Sequence, residues 1–198
     1  MKMSVTLAAF LLTTFLKLFG QITITNAAFP VAGDTVYYSI DTFSSVLPGV
    51  PGGNQVWDLT ALSSVMDRQN IYRPASEGQN FADFPNAEVV LIPPQGNESY
   101  FNSTPTRFET IGYTGAGPAN LNLNLKFNPP VAERRAPLTF GGFPNLEQTN
   151  LTITFPTTQI AGQIPNLPAT IDSIRLKINY QRLDFVDAWG TLKLPAFT

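Results

Sequence analysis

Leu121-Asn122-Leu123-Asn124-Leu125-Lys126-Phe127-Asn128 is the stretch that decides the fold. Apolar and polar residues alternate through it without a break. In an extended chain successive side chains fall on opposite faces, so this is a strand with one buried face and one wet one. The same period of two returns in Ile174, Leu176, Ile178 and Tyr180 against Arg175, Lys177, Asn179 and Gln181. It returns again in Leu151, Ile153 and Phe155 against Thr152 and Thr154. Shorter candidates are Thr35–Asp41, Gln55–Leu59, Val65–Tyr72, Glu88–Ile92, Ser99–Asn102, Arg107–Tyr113 and Trp189–Leu194.

Strands this numerous, separated by Pro, Gly and Asn, specify an all-β fold: an antiparallel β-sandwich, with a jelly-roll-like arrangement or a distorted barrel as alternatives. Parallel sheets covered on both faces would show continuous apolar runs, and these strands are two-sided. Val89-Val90-Leu91-Ile92 is the exception and reads as a central strand covered on both sides. All 17 prolines lie beyond residue 20, so a long helix hardly fits between most of them.

The N-terminus reads differently. Lys2 stands in a short polar region, Val5 to Leu16 form an uncharged apolar run, and Gly20 precedes the polar Gln21. This is the layout of a secretory signal peptide, a helix too short for the roughly 20 apolar residues of a membrane span. The expected cut lies between Gly20 and Gln21, with Ala27 or Ala28 as later alternatives and an uncleaved membrane anchor as the competing reading. The expectation is a signal peptide over 1–20 and one β-sandwich-like domain over 21–198. The product would pass the inner membrane and be secreted or displayed on the outer cell surface.

Removing Lys2 and Lys17 from the 12 basic residues leaves ten against 14 acidic ones. A mildly acidic chain with scattered charge lacks the footprint of a nucleic-acid binder, and it has no polybasic stretch for a membrane surface. There is no Cys and no His. That excludes a lipid-modified N-terminal Cys, a Cys nucleophile, thiolate or imidazole metal sites, and a Ser-His-Asp triad. No cofactor is expected, and an enzyme would have to work with carboxylates, Lys, Tyr, Ser or Thr.

The phrases Phe84-Pro85-Asn86-Ala87, Phe143-Pro144-Asn145-Leu146 and Ile164-Pro165-Asn166-Leu167 repeat one turn chemistry. Pro presets the second position, Asn tolerates the third, and the flanking apolar residues are expected to plug into the core. Gly49 to Gly53 and Gly112 to Gly117 read as flexible, exposed rims. Neither opens a helix, which removes a phosphate-cradle reading.

Several phrases carry a family resemblance. Gln21 to Pro30 with Ala32-Gly33-Asp34-Thr35-Val36 resembles the start of certain secreted proteins of Bacteroidetes-type bacteria, which commonly end in a type IX secretion sorting domain. Gly53 to Leu59, Phe127-Asn128-Pro129-Pro130 with Glu133 to Leu138, and Asp187 to Leu192 are similar as well. The resemblance implies export and further C-terminal domains of the same polypeptide. It implies no catalytic residue, because the family has no assigned activity. Since the chain stops at Thr198 without the sorting domain, a truncated product is expected.

The candidate sites are few. Asp184 and Asp187 beside Trp189, and Asp58 beside Trp57, are the nearest approach to carboxylates with an aromatic platform. The more ordinary reading makes these acids turn formers and both Trp residues core anchors. Glu133-Arg134-Arg135 is the one dense charge cluster, either an anion contact through an Arg fork or a local pair between Glu133 and one Arg. Asn122, Asn124 and Asn128 share one face and could bond sugar hydroxyls, or simply keep that face solvated. Ligand contacts are therefore sought at Trp57, Asp58, Arg134, Arg135, Asp187 and Trp189. The expected function is a non-enzymatic secreted or cell-surface module, with a carbohydrate-binding module and a carboxylate glycosidase as alternatives, and with a glycan or surface partner in view.

Overall fold

A computed structural model of the protein describes residues 23–42, 49–94, 96–117, 121–160, 166–168 and 170–195. The signal peptide, its Gly20–Gln21 junction and the Ile164-Pro165 start of the third turn phrase lie outside the described residues. Among those described are ten strands: β1 (Thr35–Ile40), β2 (Gly52–Asp58), β3 (Met66–Pro74), β4 (Val89–Leu91), β5 (Glu98–Ser103), β6 (Arg107–Ala116), β7 (Asn122–Arg135), β8 (Asn145–Pro156), β9 (Ser173–Asp184) and β10 (Ala188–Lys193). Each overlaps a stretch read as a strand from the sequence, though β7 runs on to Arg135 and β8 begins as early as Asn145. Among the described residues helical structure is confined to α1 (Thr157–Ile160) and to single 3-10 turns at Asn26–Ala28, Ala75–Glu77 and Phe81–Asp83.

Eight strands form one antiparallel sheet in the order β1-β3-β4-β5-β6-β7-β8-β9. The fold is all-β and sandwich-like, and the sheet does not close into a barrel, since β1 and β9 remain its edges. One pairing departs from the antiparallel expectation. β2 leaves the sheet and runs parallel to β10, with Val56 opposite Thr191 and Trp57 opposite Leu192.

The core is divided by the sheet itself. Val89 and Val90, neighbours on β4, point to opposite faces and both are buried. Val89 joins Phe29, Tyr72, Phe101, Phe108 and Ala136, and Val90 joins Ala75, Phe84, Ala87 and Tyr100. The central-strand reading of this segment holds for that reason. On the first face Phe101 stacks on Phe108 at 4.9 Å, Tyr72 meets both rings edge-on, and the segment carrying Phe29 covers them. On the second face residues 75–87 fold over the sheet, and Phe84 stacks on Tyr100 at 4.5 Å.

The turn at Phe84-Pro85-Asn86-Ala87 behaves as its residues dictate: Ala87 N–H donates to the Phe84 carbonyl at 2.9 Å, and both flanking side chains are buried. The second phrase does not. Phe143 is 95% exposed and Leu146 is also exposed, so this turn plugs nothing into the core. The glycine stretches are corrected too. Gly52 and Gly53 lie in β2, and Gly112 to Ala116 lie in β6. Gly112 leaves the space that the Phe84 ring fills, since a Cβ there would overlap that ring.

Strand β7 is the hinge of the architecture. Thr110 pairs with Val131 and Gly112 with Lys126, so residues 127–130 bulge out opposite Ile111 alone. Pro129 and Pro130 have no N–H to donate, which is why the ladder breaks there. The displaced segment meets β8 through one pair, Asn128 with Asn150. Beyond it β8 and β9 continue as a ladder of twelve residues each, Asn145–Pro156 on Ser173–Asp184.

Candidate functional site

Two recesses in the described structure meet at Glu133 and Arg134, at the end of β7. The larger, about 700 Å³, lies between the segment 24–29, the end of β7, the link 137–145 and the β9–β10 connection. Ile24 and Leu138 fasten two of its walls through reciprocal backbone bonds of 3.1 and 2.9 Å. Arg134, Arg135, Arg182 and Asp184 line it, with Phe143 and Phe185 exposed at its margin.

Most of its charge is already engaged. Arg182 grips Asp184 through Nε at 2.7 Å and Nη2 at 2.9 Å, and that hydrogen-bonded carboxylate raises the guanidinium pKa. Arg135 pairs with the buried carboxylate of Glu147, which also receives Arg107 Nη2 at 3.2 Å. Burial, then the nearby Arg107, pulls the Arg135 pKa below its ordinary value, though a guanidinium still stays charged in a protein. Arg134 is different. Its Nη1 donates to the Ala28 carbonyl at 2.8 Å, and among the described residues it pairs with no carboxylate. The local ion pair expected within Glu133-Arg134-Arg135 does not form: Glu133 Oε1 instead accepts the Thr110 hydroxyl at 2.8 Å.

The smaller recess, about 410 Å³, is a groove on the first face of the sheet. Its floor follows from the strand register. Leu91 pairs with Ser99, Ser99 with Tyr113, and Tyr113 with Leu125, a row crossing β4 to β7 on one face. Tyr113, Leu125 and Phe127 are half-buried there, beside the part of the core that Phe29 covers. Thr110, Glu133 and Arg134 close one end. Ser99 and Tyr113 are ladder partners, and within the described residues no hydrogen bond occupies either hydroxyl. Ser99, Thr110, Tyr113 and Phe127, which line this groove beside Glu133 and Arg134, were not among the sequence candidates. The period of two assigned their faces, but only the pairing shows which of them meet.

The remaining sequence candidates lie elsewhere, on the β2–β10 pair. Asp58 accepts the Thr60 hydroxyl at 2.6 Å and faces its ladder partner Lys193 at 3.3 Å, so its carboxylate ties the two strands. Asp187 is exposed, and it is its backbone carbonyl that holds Gly52 N–H, at 2.8 Å. Trp57 and Trp189 are half-buried and belong to neither core cluster, which corrects their assignment as core anchors. Their indoles lean on Gly49 and Gly53, where a side chain would collide with them. Of the Asn face, Asn124 Nδ2 and Lys126 Nζ both hold Asp83, at 2.8 and 3.1 Å, which makes that stretch a clamp on residues 81–83.

The carboxylates whose titration is displaced all move the same way. The Thr60 bonds lower Asp58, the Ser39 and Ser64 hydroxyls lower Asp67, and Lys126 with Asn124 lowers Asp83. Burial pushes Glu98 up, but Tyr100, the Asn80 side chain and the backbone N–H groups of Gln79 and Asn80 outweigh it and leave it below the usual value. Burial in turn, with the Glu98 bond, drives the Tyr100 hydroxyl far above its ordinary range. No three Asp or Glu side chains among the described residues gather as a metal site. None of the described helices is long and apolar enough to cross a membrane.

Compared with protein-family models, with curated proteins and with solved structures, the chain matches none.

Proposed function

We propose that this chain is a non-enzymatic module of a larger exported bacterial protein, acting outside the inner membrane by binding rather than by catalysis. The observation that carries the non-catalytic part is the engagement of the carboxylates in structural hydrogen bonds. A general acid must have its carboxyl free to meet a substrate. Asp58, Asp67, Asp83 and Glu98 are each tied into the fold, by Thr60, by Ser39 and Ser64, by Asn124 and Lys126, and by Asn80 and Tyr100. Asp184, the first member of the sequence-derived acid pair, is clamped by Arg182. The apolar run before Gln21 supports export, and the resemblance to secreted Bacteroidetes proteins supports the larger polypeptide.

The groove favours a carbohydrate-binding module as the second reading, ahead of a carboxylate glycosidase. The test is expression of the full chain in a Gram-negative host, followed by fractionation and N-terminal sequencing. A product outside the cytoplasm that begins at Gln21 is expected. An uncleaved cytoplasmic product would overturn the export reading. Release of nitrophenol from a panel of nitrophenyl glycosides, abolished by Glu133→Gln or Asp184→Asn, would overturn the non-enzymatic one.

A further inference from the structure

We infer that the groove on β5, β6 and β7 is a binding site for an uncharged sugar ring, built from Ser99, Tyr113, Phe127, Glu133 and Arg134. The inference names a ligand class for the non-catalytic module and rests on that reading.

Three observations converge on it. The groove holds about 410 Å³, within the roughly 300–1,000 Å³ typical of small-ligand sites. Its floor is apolar and partly aromatic, with Tyr113 and Phe127 half-buried beside Leu125, so each keeps part of its surface in the groove. Its polar groups are incompletely engaged. Glu133 has one carboxylate oxygen bonded to Thr110 and, among the described residues, the other without a hydrogen bond, and Arg134 has one guanidinium nitrogen on Ala28. Ser99 and Tyr113 are ladder partners, and among the described residues neither hydroxyl has a hydrogen bond.

The chemistry of this set selects among ligands. A carboxylate only accepts, a guanidinium only donates, and a hydroxyl does both. Neighbouring sugar hydroxyls need that mixture, and the C–H face of a pyranose needs an apolar surface to lie on. An acidic ligand attracted to Arg134 would meet the Glu133 carboxylate beside it, and a cation would meet Arg134. The opposed charges leave the site with no net preference for either, which is the condition for a neutral polyhydroxyl ring.

The test is titration of the full chain with cellohexaose, maltohexaose, mannohexaose and xylohexaose, and with oligogalacturonate as the acidic comparison, read by calorimetry. Saturable binding of at least one neutral oligosaccharide is expected, weakened about tenfold or more by Tyr113→Ala through the lost stacking surface. Glu133→Gln changes charge with little change of volume, and it is expected to weaken the same binding while thermal unfolding stays that of the parent. Tyr113→Phe should retain most of the affinity. Absence of binding across the neutral panel, tighter binding of oligogalacturonate, or binding indifferent to both Tyr113→Ala and Glu133→Gln would overturn the site. Shortened oligosaccharides in the same mixtures would overturn the non-catalytic reading instead, so the two failures are told apart.

Discussion

Glu147 on β8 and Arg182 on β9 face one another in the ladder, and between them they hold both backbone hydrogen-bonding groups of Ala132 on β7. The Glu147 carboxylate accepts the Ala132 N–H at 3.1 Å, and Arg182 Nη2 donates to the Ala132 carbonyl. Strand β7 meets β8 at a single residue pair, so side chains join it to the β8–β9 ribbon where no ladder does. A polar group taken from water must find such a partner, and Ala132 is fully buried.

Removing Glu147 should therefore loosen the β8–β9 ribbon from the rest of the sheet. Glu147→Ala leaves Arg135 without its carboxylate, leaves Arg107 with Glu109 alone at 3.0 Å, and leaves Ala132 N–H without an acceptor. Breaking a buried ion pair from one side costs about 3–5 kcal/mol, and the partly exposed guanidiniums place this case near the lower figure. Urea unfolding checks it. A loss below about 1 kcal/mol would place the cluster in the solvated regime instead.

Glu98, the buried one among the lowered carboxylates, contributes to the acid side of the stability profile. Its folded pKa lies below the ordinary 4.5, so the stabilisation it provides is fully present above that value. It is lost as pH falls through the lower, folded pKa. Unfolding free energy should therefore be steady from about pH 5 to neutrality and fall in more acidic solution. Glu98→Gln should flatten part of that fall and lower stability at neutral pH. An unchanged acid limb in the variant would assign the effect to other groups.

Gly112 and Phe84 are matched in shape. Gly112→Ala places a methyl in the volume of the Phe84 ring, which is itself pinned against Tyr100. Overpacking of this kind costs typically about 1–3 kcal/mol. Thermal unfolding of Gly112→Ala should fall accordingly, and Gly112→Ala with Phe84→Leu should recover part of the loss. Failure of the second change to recover any would separate the two positions.

The β2–β10 pair depends on Gly190. A Cβ there would overlap the Gln55 backbone, which no rotamer change relieves. Gly190→Ala should part the two strands, and the half-buried Trp57 and Trp189 report it directly. A red shift of tryptophan emission is expected while hydrogen exchange at Val90 and Tyr100, in the separate core, stays slow. Unchanged emission would show that the pair accommodates the methyl.

The strands were legible because period two is written residue by residue. Val89 and Val90 even disclosed a strand covered on both faces. What alternation does not carry is partnership. Nothing local in Gly52 to Asp58 says that it leaves its neighbours and runs parallel to Ala188–Lys193. The Glu133-Arg134-Arg135 cluster was visible, but its partners Thr110, Ala28 and Glu147 lie on other segments of the chain. The exposed Phe143 shows the same limit, because Phe-Pro-Asn reads alike whether or not a core lies beneath it.

The parallel pair has a consequence for the order in which the molecule assembles. Asp58 and its partner Lys193 are 135 positions apart, whereas β3, β4, β5 and β6 each find a neighbour close by in sequence. A chain emerging from its N-terminus can form those hairpins early, but β2 has to wait, unpaired, until β10 has been delivered. Closing so long a loop is entropically costly and slow. The two tryptophans sit on this last-formed seam, so their fluorescence times the end of folding rather than its beginning.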